Sequence, residues 1–371
     1  MKELLIADAY GRQLDNIRIA VTAECNYRCI FCHIEGEPLN GPAKPGTLSP
    51  LLRPEHYEII AEASRLLGIK KIKLTGGEPL LRADIVEIVY SLAAYSNAEI
   101  SMTTNGYFLS KYAEKLREAG LERVNISIHS LKPERYRFIT GVPGLDQALK
   151  GLQTAYDAGF GIKINSVILN SVNSDEVFDL ARLASKYNAI LQLIELHPVG
   201  LGARFFNKYY YPLLKIEKEL LKIGAKKTIR DLHNRPLYVL PNGQKIEIVR
   251  PYGNPIFCAG CTRIRIGPFG DLSPCLNYKG PRPSISETLK NPHYSRQEKI
   301  LKVASEIIDL VAMRKPYFMC SRTSPPNYMI PTKSNHKSLR ISHPKKKKFE
   351  EAKRVLRLLL EERDSLEPRA Q

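Results

Sequence analysis

Tryptophan is absent from the 371 residues, and aromatic side chains together make up only 8%. The seven cysteines are too sparse for the disulfide scaffold of a small secreted domain. No run approaches the ~18 apolar residues that a membrane span needs. The first stretch, Met1 to Asp15, carries acids and lacks the apolar core of a secretory signal, so a cytoplasmic protein is expected. Negative charge is scarce: 38 Asp and Glu against 56 Lys and Arg leave a net +18. Hydrophobic residues, at 43%, are plentiful enough to exclude a disordered chain. The length predicts roughly two domains, or one barrel of ~250 residues with an appendage. Thiols so few, odd in number and clustered point to metal ligation.

Part of the basic excess is local. Between Pro331 and Gln371 there are 12 Lys and Arg against 6 Asp and Glu, leaving +12 for the other 330 residues. A charge spread in this way suits a polyanion such as a nucleoside triphosphate or nucleic acid, and equally a solvated lysine-rich surface. No basic stretch is interleaved with aromatics as in single-strand binders, so nucleic acid is not the expected partner.

Short runs rich in β-branched residues recur at Ile17–Thr22, Ile69–Leu74, Ala98–Thr103, Val124–Ile128, Ile162–Leu169 and Ile190–Leu196. Each reads as a buried parallel strand. Between them, Glu55–Leu67, Ala83–Tyr95, Ser110–Ala119, Leu145–Ala158 and Asp175–Tyr187 have apolar residues at three-to-four spacing and read as helices. Gly68 and Gly120 are expected as helix C-caps, and Ser110 and Ser174 as N-caps. Alternating β and α implies right-handed βαβ units around a parallel sheet. Six units are too few to close a barrel, so the expected class is α/β, a partial (βα)6 TIM-type barrel with ligands at the C-terminal ends of its strands. The loop from His33 to Pro54, with five Pro and three Gly, is long enough to be functional. The rhythm fails after Gly200. The expected organisation is a barrel over residues 1–202, a C-terminal substrate and auxiliary-cluster domain over 203–323, and a linker with a basic tail helix over 324–371. Ser324–Pro344 would be the linker, and Lys345–Lys348 precede the helix Phe349–Glu362.

Six cysteines form two groups of three. Cys25, Cys29 and Cys32 make a CxxxCxxC just past the first strand; Cys258 and Cys261 are followed after thirteen residues by Cys275. Thiolates favour iron–sulfur clusters or zinc. A closed structural zinc site needs four ligands. Three thiolates around a four-iron cube leave one iron open, and an open position on a metal is where a substrate binds. Cys320 could complete only one group and reads as a buried thiol.

The sequence resembles a known family. CxxxCxxC is the signature of radical S-adenosylmethionine enzymes, and Thr75-Gly76-Gly77-Glu78-Pro79 after the second strand matches their GGEP. Cys258-x-x-Cys261-Thr262-Arg263-Ile264-Arg265 followed by Cys275 resembles the GTP 3′,8-cyclase family, the molybdenum cofactor biosynthesis protein A family. Also consistent are Asp15-Asn16-Ile17-Arg18-Ile19, Thr103-Thr104-Asn105-Gly106, Asn125-Ile126-Ser127, Lys163-Ile164-Asn165 and Ile194-Glu195-Leu196. The resemblance runs over about residues 5–320.

It implies two [4Fe–4S] clusters, the first on Cys25, Cys29 and Cys32 and the second, in the C-terminal domain, on Cys258, Cys261 and Cys275. It also implies S-adenosylmethionine as cofactor, with Phe31, Gly77, Ser127 and His197 at its site, and GTP as substrate. Gly77 would let backbone approach the bound methionine moiety closely. A 5′-deoxyadenosyl radical would take the ribose 3′-hydrogen of GTP, and C3′ would attack C8. Arg18, Lys73, Thr103, Lys163, Thr262, Arg263 and Arg265 would hold the nucleotide. No separate acid–base residue is assigned. An electron donor, a downstream cyclic pyranopterin monophosphate synthase and a homodimer are the partners the resemblance suggests; a membrane is not. Both clusters would face one closed cavity, capped by about Ala203–Tyr317.

The chain departs from the family in several places. Phe31 stands where a Tyr is usual, His197 where a Met is common and Lys73 where an Arg is common, the last losing a bidentate fork. Relatives end in a Gly-Gly tail that reaches into the active site, whereas this sequence ends Pro368-Arg369-Ala370-Gln371. Two other readings exist: a radical enzyme acting on a peptide, and a zinc-stabilised basic nucleic-acid protein.

Overall fold

The computed structural model describes residues 6–35 and 51–316, together with Arg354 and Leu358 of the final segment. Six strands, β1 (Asn16–Ala20), β2 (Lys71–Thr75), β3 (Glu99–Thr104), β4 (Arg123–Ser127), β5 (Gly161–Ile168) and β6 (Ile190–Glu195), lie side by side and parallel, in chain order. Helices α1 (Pro54–Leu66), α2 (Ile85–Tyr95), α3 (Leu109–Glu118), α5 (Leu145–Asp157) and α6 (Val177–Lys186) make the crossovers, as the periodicity leads one to expect. A short extra helix, α4 (Pro133–Thr140), falls between β4 and α5. Its eight residues give too few turns for a periodic signal, although Pro133 marks its first turn.

The six strands are not read correctly as buried on both faces. Lys-Ile-Lys-Leu-Thr in β2 and Arg-Val-Asn-Ile-Ser in β4 alternate polar and apolar. Alternate side chains of a strand point to opposite faces. Ile17, Ile72, Leu74, Val124 and Ile126 are fully buried on the apolar face. Arg18, Lys73, Ser101, Asn125 and Lys163 occupy the other face and line a cavity. The sheet therefore has one oily face under its helices and one polar face curled around a hollow.

Past β6 come α7 (Gly202–Tyr209), α8 (Leu214–Lys222), the antiparallel hairpin β7 (Lys226–Arg230) and β8 (Arg235–Val239), β9 (Lys245–Val249), α9 (Pro255–Ala259), β10 (Arg263–Ile266), β11 (Leu272–Ser273), α10 (Ser286–Lys290) and α11 (Arg296–Ala312). These strands extend the barrel sheet at both edges. β9 joins β6 in parallel and β10 joins β1 in parallel, giving the order β11-β10-β1-β2-β3-β4-β5-β6-β9-β8-β7. One open sheet of eleven strands results, eight of them a continuous parallel run. α11 packs on α1, and Arg296 bridges Glu58 at 2.9 Å and Glu62 at 2.6 Å.

Gly68 and Gly120 follow their helices with φ of +64° and +100°, the left-handed stop expected of them. Ser110 and Ser174 are not N-caps. Phe108 holds the cap position of α3, and Glu176 that of α6. Asn173 organises the turn before α6 instead. Its Oδ1 accepts from the amide of Leu169 at 2.7 Å, and its Nδ2 donates to the carbonyls of His129 at 2.6 Å and Val167 at 2.9 Å. Cys320, the linker Ser324–Pro344 and Lys345–Lys348 lie outside the described residues; of Phe349–Glu362 only Arg354 and Leu358 are described, both helical and exposed. Among the described residues no helix is long and apolar enough to cross a membrane.

Asn173 is fully buried, so Asn173→Ala strands three backbone groups away from water. A loss of about 3 kcal/mol is expected, at ~1 kcal/mol or more per orphaned group. Denaturant unfolding checks it; a change under ~0.5 kcal/mol would contradict this account of the turn.

Candidate active site

The polar face and the segments after β6 enclose a cavity of about 590 Å³. That is a volume suited to a small ligand. Nine Lys or Arg line it against four Asp or Glu, an imbalance that favours an anionic ligand.

The strand register concentrates the cations. Arg18 of β1 lies between Arg265 of β10 and Lys73 of β2, and Arg263 lies beside Asn16. Burial, then the charges of Arg18 and Lys163, pull Lys73 well below the usual lysine range. Burial, then Arg18 and Arg235, lower Arg263 to about 9. Burial also lowers Arg18, partly offset by Glu35. These like charges are short of counter-charge, and an anion placed among them would relieve all three. Polar contacts aim the heads: Lys73 Nζ donates to Asn125 Oδ1 at 3.1 Å, Arg263 Nε to Asn16 Oδ1 at 2.9 Å and Arg18 Nη2 to Thr75 Oγ1 at 3.1 Å. The Nε groups of Arg18 and Arg235 are buried without a partner.

Two carboxylates hold the rest. Glu35 pairs with Arg18 at 3.0 Å, with His33 at 3.0 Å and with Arg265. Burial pushes its carboxyl up, but Arg18 and Arg265 outweigh that and leave it well below the ordinary range. Glu247 of β9 pairs with Lys163, with Arg230 at 3.2 Å and with Arg235 at 3.0 Å. Burial raises it, yet Lys163 and Arg235 bring it down to about 2. Burial lowers Lys163 to about 8 even with Glu247 beside it.

The first three thiols sit on the loop after β1, pinned from three sides. From the GGEP turn, Gly77 donates its amide to Thr22 O at 2.9 Å and Glu78 to Glu24 O at 2.7 Å. From the end of α4, Thr140 and Ile139 accept from Arg28 and Ile30 at 2.9 and 3.0 Å. Leu201 donates to Cys32 O at 2.8 Å. A Cβ on Gly77 would stand 2.0 Å from Glu24 O, so glycine here is demanded by the cysteine loop's own backbone. Glu78 is buried, pushed up to about 7, and accepts from Leu80, Thr104 and Asn105, tying the turn to β3. Burial and the neighbouring thiols raise Cys25 and Cys29. The amides of Tyr27 and Ile34 point at the sulfurs of Cys25 and Cys32, 3.4 and 3.3 Å away.

The second three thiols all line the cavity. The amide of Asn277 points at Cys275 Sγ at 3.5 Å. His233 stacks on Phe257 with 4.1 Å between centroids and donates its amide to Gly260 O at 2.6 Å, steadying the loop that bears Cys258 and Cys261. Among the described residues no three Cys, His, Asp or Glu side chains are gathered closely enough to hold a single metal ion, but amides aimed at the sulfurs of Cys25, Cys32 and Cys275 are the contacts that cluster-bound thiolates accept, so the donor set suits iron–sulfur clusters.

Of the expected site residues, Arg18, Phe31, Lys73, Thr103, Ser127, Lys163, His197, Arg263 and Arg265 line the one cavity with Cys258, Cys261 and Cys275. Gly77 and Thr262 are not in its wall; Thr262 Oγ1 is buried without a partner. Cys25, Cys29 and Cys32 are not in its wall, although Phe31 and His33, the neighbours of Cys32 in sequence, are. His197 shares a hydrogen bond with Asn277 at 3.0 Å, and burial lowers it to about 4. Sequence reasoning missed Glu35, His129, Gln192, Arg230, Arg235 and Glu247. The alternation in Lys-Ile-Glu-Ile-Val, β9, was the available signal for Glu247. His129, lowered to about 3 by burial, packs on Phe31 at 4.5 Å.

Fold and site together define a radical S-adenosylmethionine protein: residues 19–184 match the Radical SAM superfamily model, and residues 189–319 match Molybdenum Cofactor Synthesis C. A protein of Aeropyrum pernix named "Probable GTP 3',8-cyclase" is 43% identical over 346 residues, 93% of this chain and 96% of its own length. One of the same name from Saccharolobus solfataricus is 42% identical over 84% of this chain and 98% of its own. The chain belongs to the GTP 3′,8-cyclase family of the radical S-adenosylmethionine superfamily. Iron–sulfur clusters and S-adenosylmethionine are that family's cofactors. Among solved structures, Streptococcus suis SuiB shares the fold, with a TM-score of 0.54 at 15% identity over 84% of this chain and 78% of that one. Its complex with S-adenosylmethionine aligns with a TM-score of 0.55 at 14% identity; 74% of this chain is covered and 64% of SuiB's length.

Glu247→Gln should destabilise the protein at pH 7 by about 3 kcal/mol, because the cations around it lose their buried partner. Glu247 sits below its ordinary 4.5, so its contribution is full above that pH and fades as pH falls toward about 2. The gap between wild type and variant, read by denaturant unfolding, should therefore narrow below pH 4.5. A gap constant from pH 7 to pH 3 would contradict the assignment.

Proposed function

We propose that this protein is a GTP 3′,8-cyclase, converting GTP to (8S)-3′,8-cyclo-7,8-dihydroguanosine 5′-triphosphate in molybdenum cofactor biosynthesis. The observation that carries the reading is one cavity whose wall holds Cys258, Cys261 and Cys275, nine Lys or Arg, and Phe31 and His33, the residues on either side of Cys32. The names of the Aeropyrum and Saccharolobus relatives support it.

Cys25, Cys29 and Cys32 would hold the first cluster, and Cys258, Cys261 and Cys275 the second. When bound, the first would supply the electron for reductive cleavage of S-adenosylmethionine, and the second would offer coordination to the guanine base. Phe31 would lie against the cofactor's adenine, while Ser127 and His197 would donate to it and the Gly77 turn would hold the first cluster's loop in place. Arg18, Lys73, Lys163, Arg263 and Arg265 would take the triphosphate, each charge-assisted bond being worth roughly 1.5–3 kcal/mol. Thr103 lines the same wall and would contact the nucleotide; Thr262 would act through its place beside Cys261. So many cations also favour a triphosphate over a peptide.

Anaerobic reconstitution with iron and sulfide, then S-adenosylmethionine, dithionite and GTP, tests the reading. GTP-dependent 5′-deoxyadenosine carrying deuterium from labelled C3′ is expected; cleavage indifferent to GTP would overturn it. Glu35 competes for two of the phosphate cations, Arg18 and Arg265. Glu35→Gln should therefore tighten GTP binding by about tenfold, or ~1.4 kcal/mol, in equilibrium binding to reconstituted protein. An unchanged Kd would show that Glu35 does not stand in the triphosphate's place.

A further inference from the structure

Three charged residues outside the cavity wall converge on the second thiol loop. Asp8 is completely buried in a tight turn near the N-terminus. Its Oδ1 accepts from the amides of Tyr10 and Arg12 at 2.9 and 3.0 Å, and its Oδ2 pairs with Arg12 Nε at 2.7 Å. Gly11, with φ of +76°, lets the chain reverse there. Arg314, just past α11, reaches the same Asp8 oxygen at 3.3 Å. Both guanidiniums then go on to the cysteines. Arg12 Nη1 donates to the carbonyl of Cys258 at 3.0 Å, and Arg314 Nη2 donates to the carbonyl of Cys261. The side chains of Asp8, Arg12 and Arg314 are 0%, 8% and 2% exposed.

We propose that Asp8, Arg12 and Arg314 are positioning residues that hold Cys258 and Cys261 in the geometry a second iron–sulfur cluster needs and place a net positive charge beside it. The inference rests on the reading that Cys258, Cys261 and Cys275 ligate that cluster. Three burial costs must be met to keep one carboxylate and two guanidiniums out of water, and well-packed apolar residues would close the same gap at least as stably. What apolar residues could not do is donate to two ligand carbonyls at once. Each arginine does so from a distant part of the chain, 246 residues away for Arg12 and 53 for Arg314. Oriented ligand backbone lowers the entropy lost when thiolates close on metal, and partners of this kind typically change metal affinity by about 10–100-fold. One net positive charge near the cluster also favours its reduced, more negative form.

Arg12 additionally donates to the carbonyls of Lys315 and Pro316, so its loss would loosen the chain more widely. Arg314→Gln is the more selective probe, with Arg314→Lys as the conservative partner. Arg12→Lys, which keeps the charge but loses the fork, serves if Arg314→Gln does not fold. Reconstituted wild type and variants are exposed to an iron chelator, and each cluster is followed by electron paramagnetic resonance; the signal that S-adenosylmethionine perturbs marks the first. In Arg314→Gln the second cluster should lose iron about tenfold faster, with the first unchanged. Its midpoint potential should move to more negative values, and Arg314→Lys should recover most of that shift. In Arg12→Lys faster loss should again be confined to the second cluster. Equal acceleration of both clusters, or no change in either quantity, overturns the clamp while leaving the cluster assignment intact. Wild type that takes up only one cluster overturns the assignment, and the clamp with it.

Discussion

Buried like charge governs this structure. The inner face of a parallel sheet places Arg18, Lys73, Arg263 and Arg265 on adjacent strands, where water cannot screen them well. Desolvation and mutual repulsion push the proton affinities of Arg18, Lys73 and Arg263 down, which is a cost carried by the fold. Glu35, paired with Arg18 and Arg265, offsets only part of it. A polyanion returns what the carboxylates leave over, so the same residues that strain the fold define its ligand. The oily face pays for that strain through the helices packed upon it.

The thiol loops depend on structure remote from them in sequence. The first is held between the GGEP turn, the end of α4 and Leu201. The second hangs between the 233–234 turn and the arginines gathered on Asp8. β10 crosses back to lie beside β1 in parallel, so the second thiol loop enters the sheet next to Asn16, at the start of the strand whose other end leads into the first loop. The later segment adds strands at both edges of the barrel sheet.

Much of this was legible beforehand. The two cysteine groups, Gly76-Gly77-Glu78-Pro79 and Arg263-x-Arg265 are local patterns, and local patterns survive without coordinates. The six strands and five of the crossover helices were legible because their periodicity is strong, with ends shifted by one or two residues. What could not be read were pairings between distant segments: β9 with β6, β10 with β1, Arg12 with Cys258. Nothing in Tyr10-Gly11-Arg12 says which carbonyl the guanidinium will find. The inward polar residues were partly visible, since Lys71, Lys73, Asn125 and Lys163 alternate with Ile and Leu. Reading the strands as apolar runs concealed that alternation, and Glu247 was missed because β9 lies in the segment where no strand was read. Ser110 and Ser174 have the right chemistry for caps, but a neighbouring Phe and Glu occupy the cap positions.

Equilibrium binding of GTP, GDP, GMP and guanosine to the reconstituted protein tests the central claim most directly. If the inward cations are there for the triphosphate, affinity should fall by about tenfold or more with each phosphate removed, at roughly 1.5–3 kcal/mol per charge-assisted contact. Guanosine bound as tightly as GTP would contradict it.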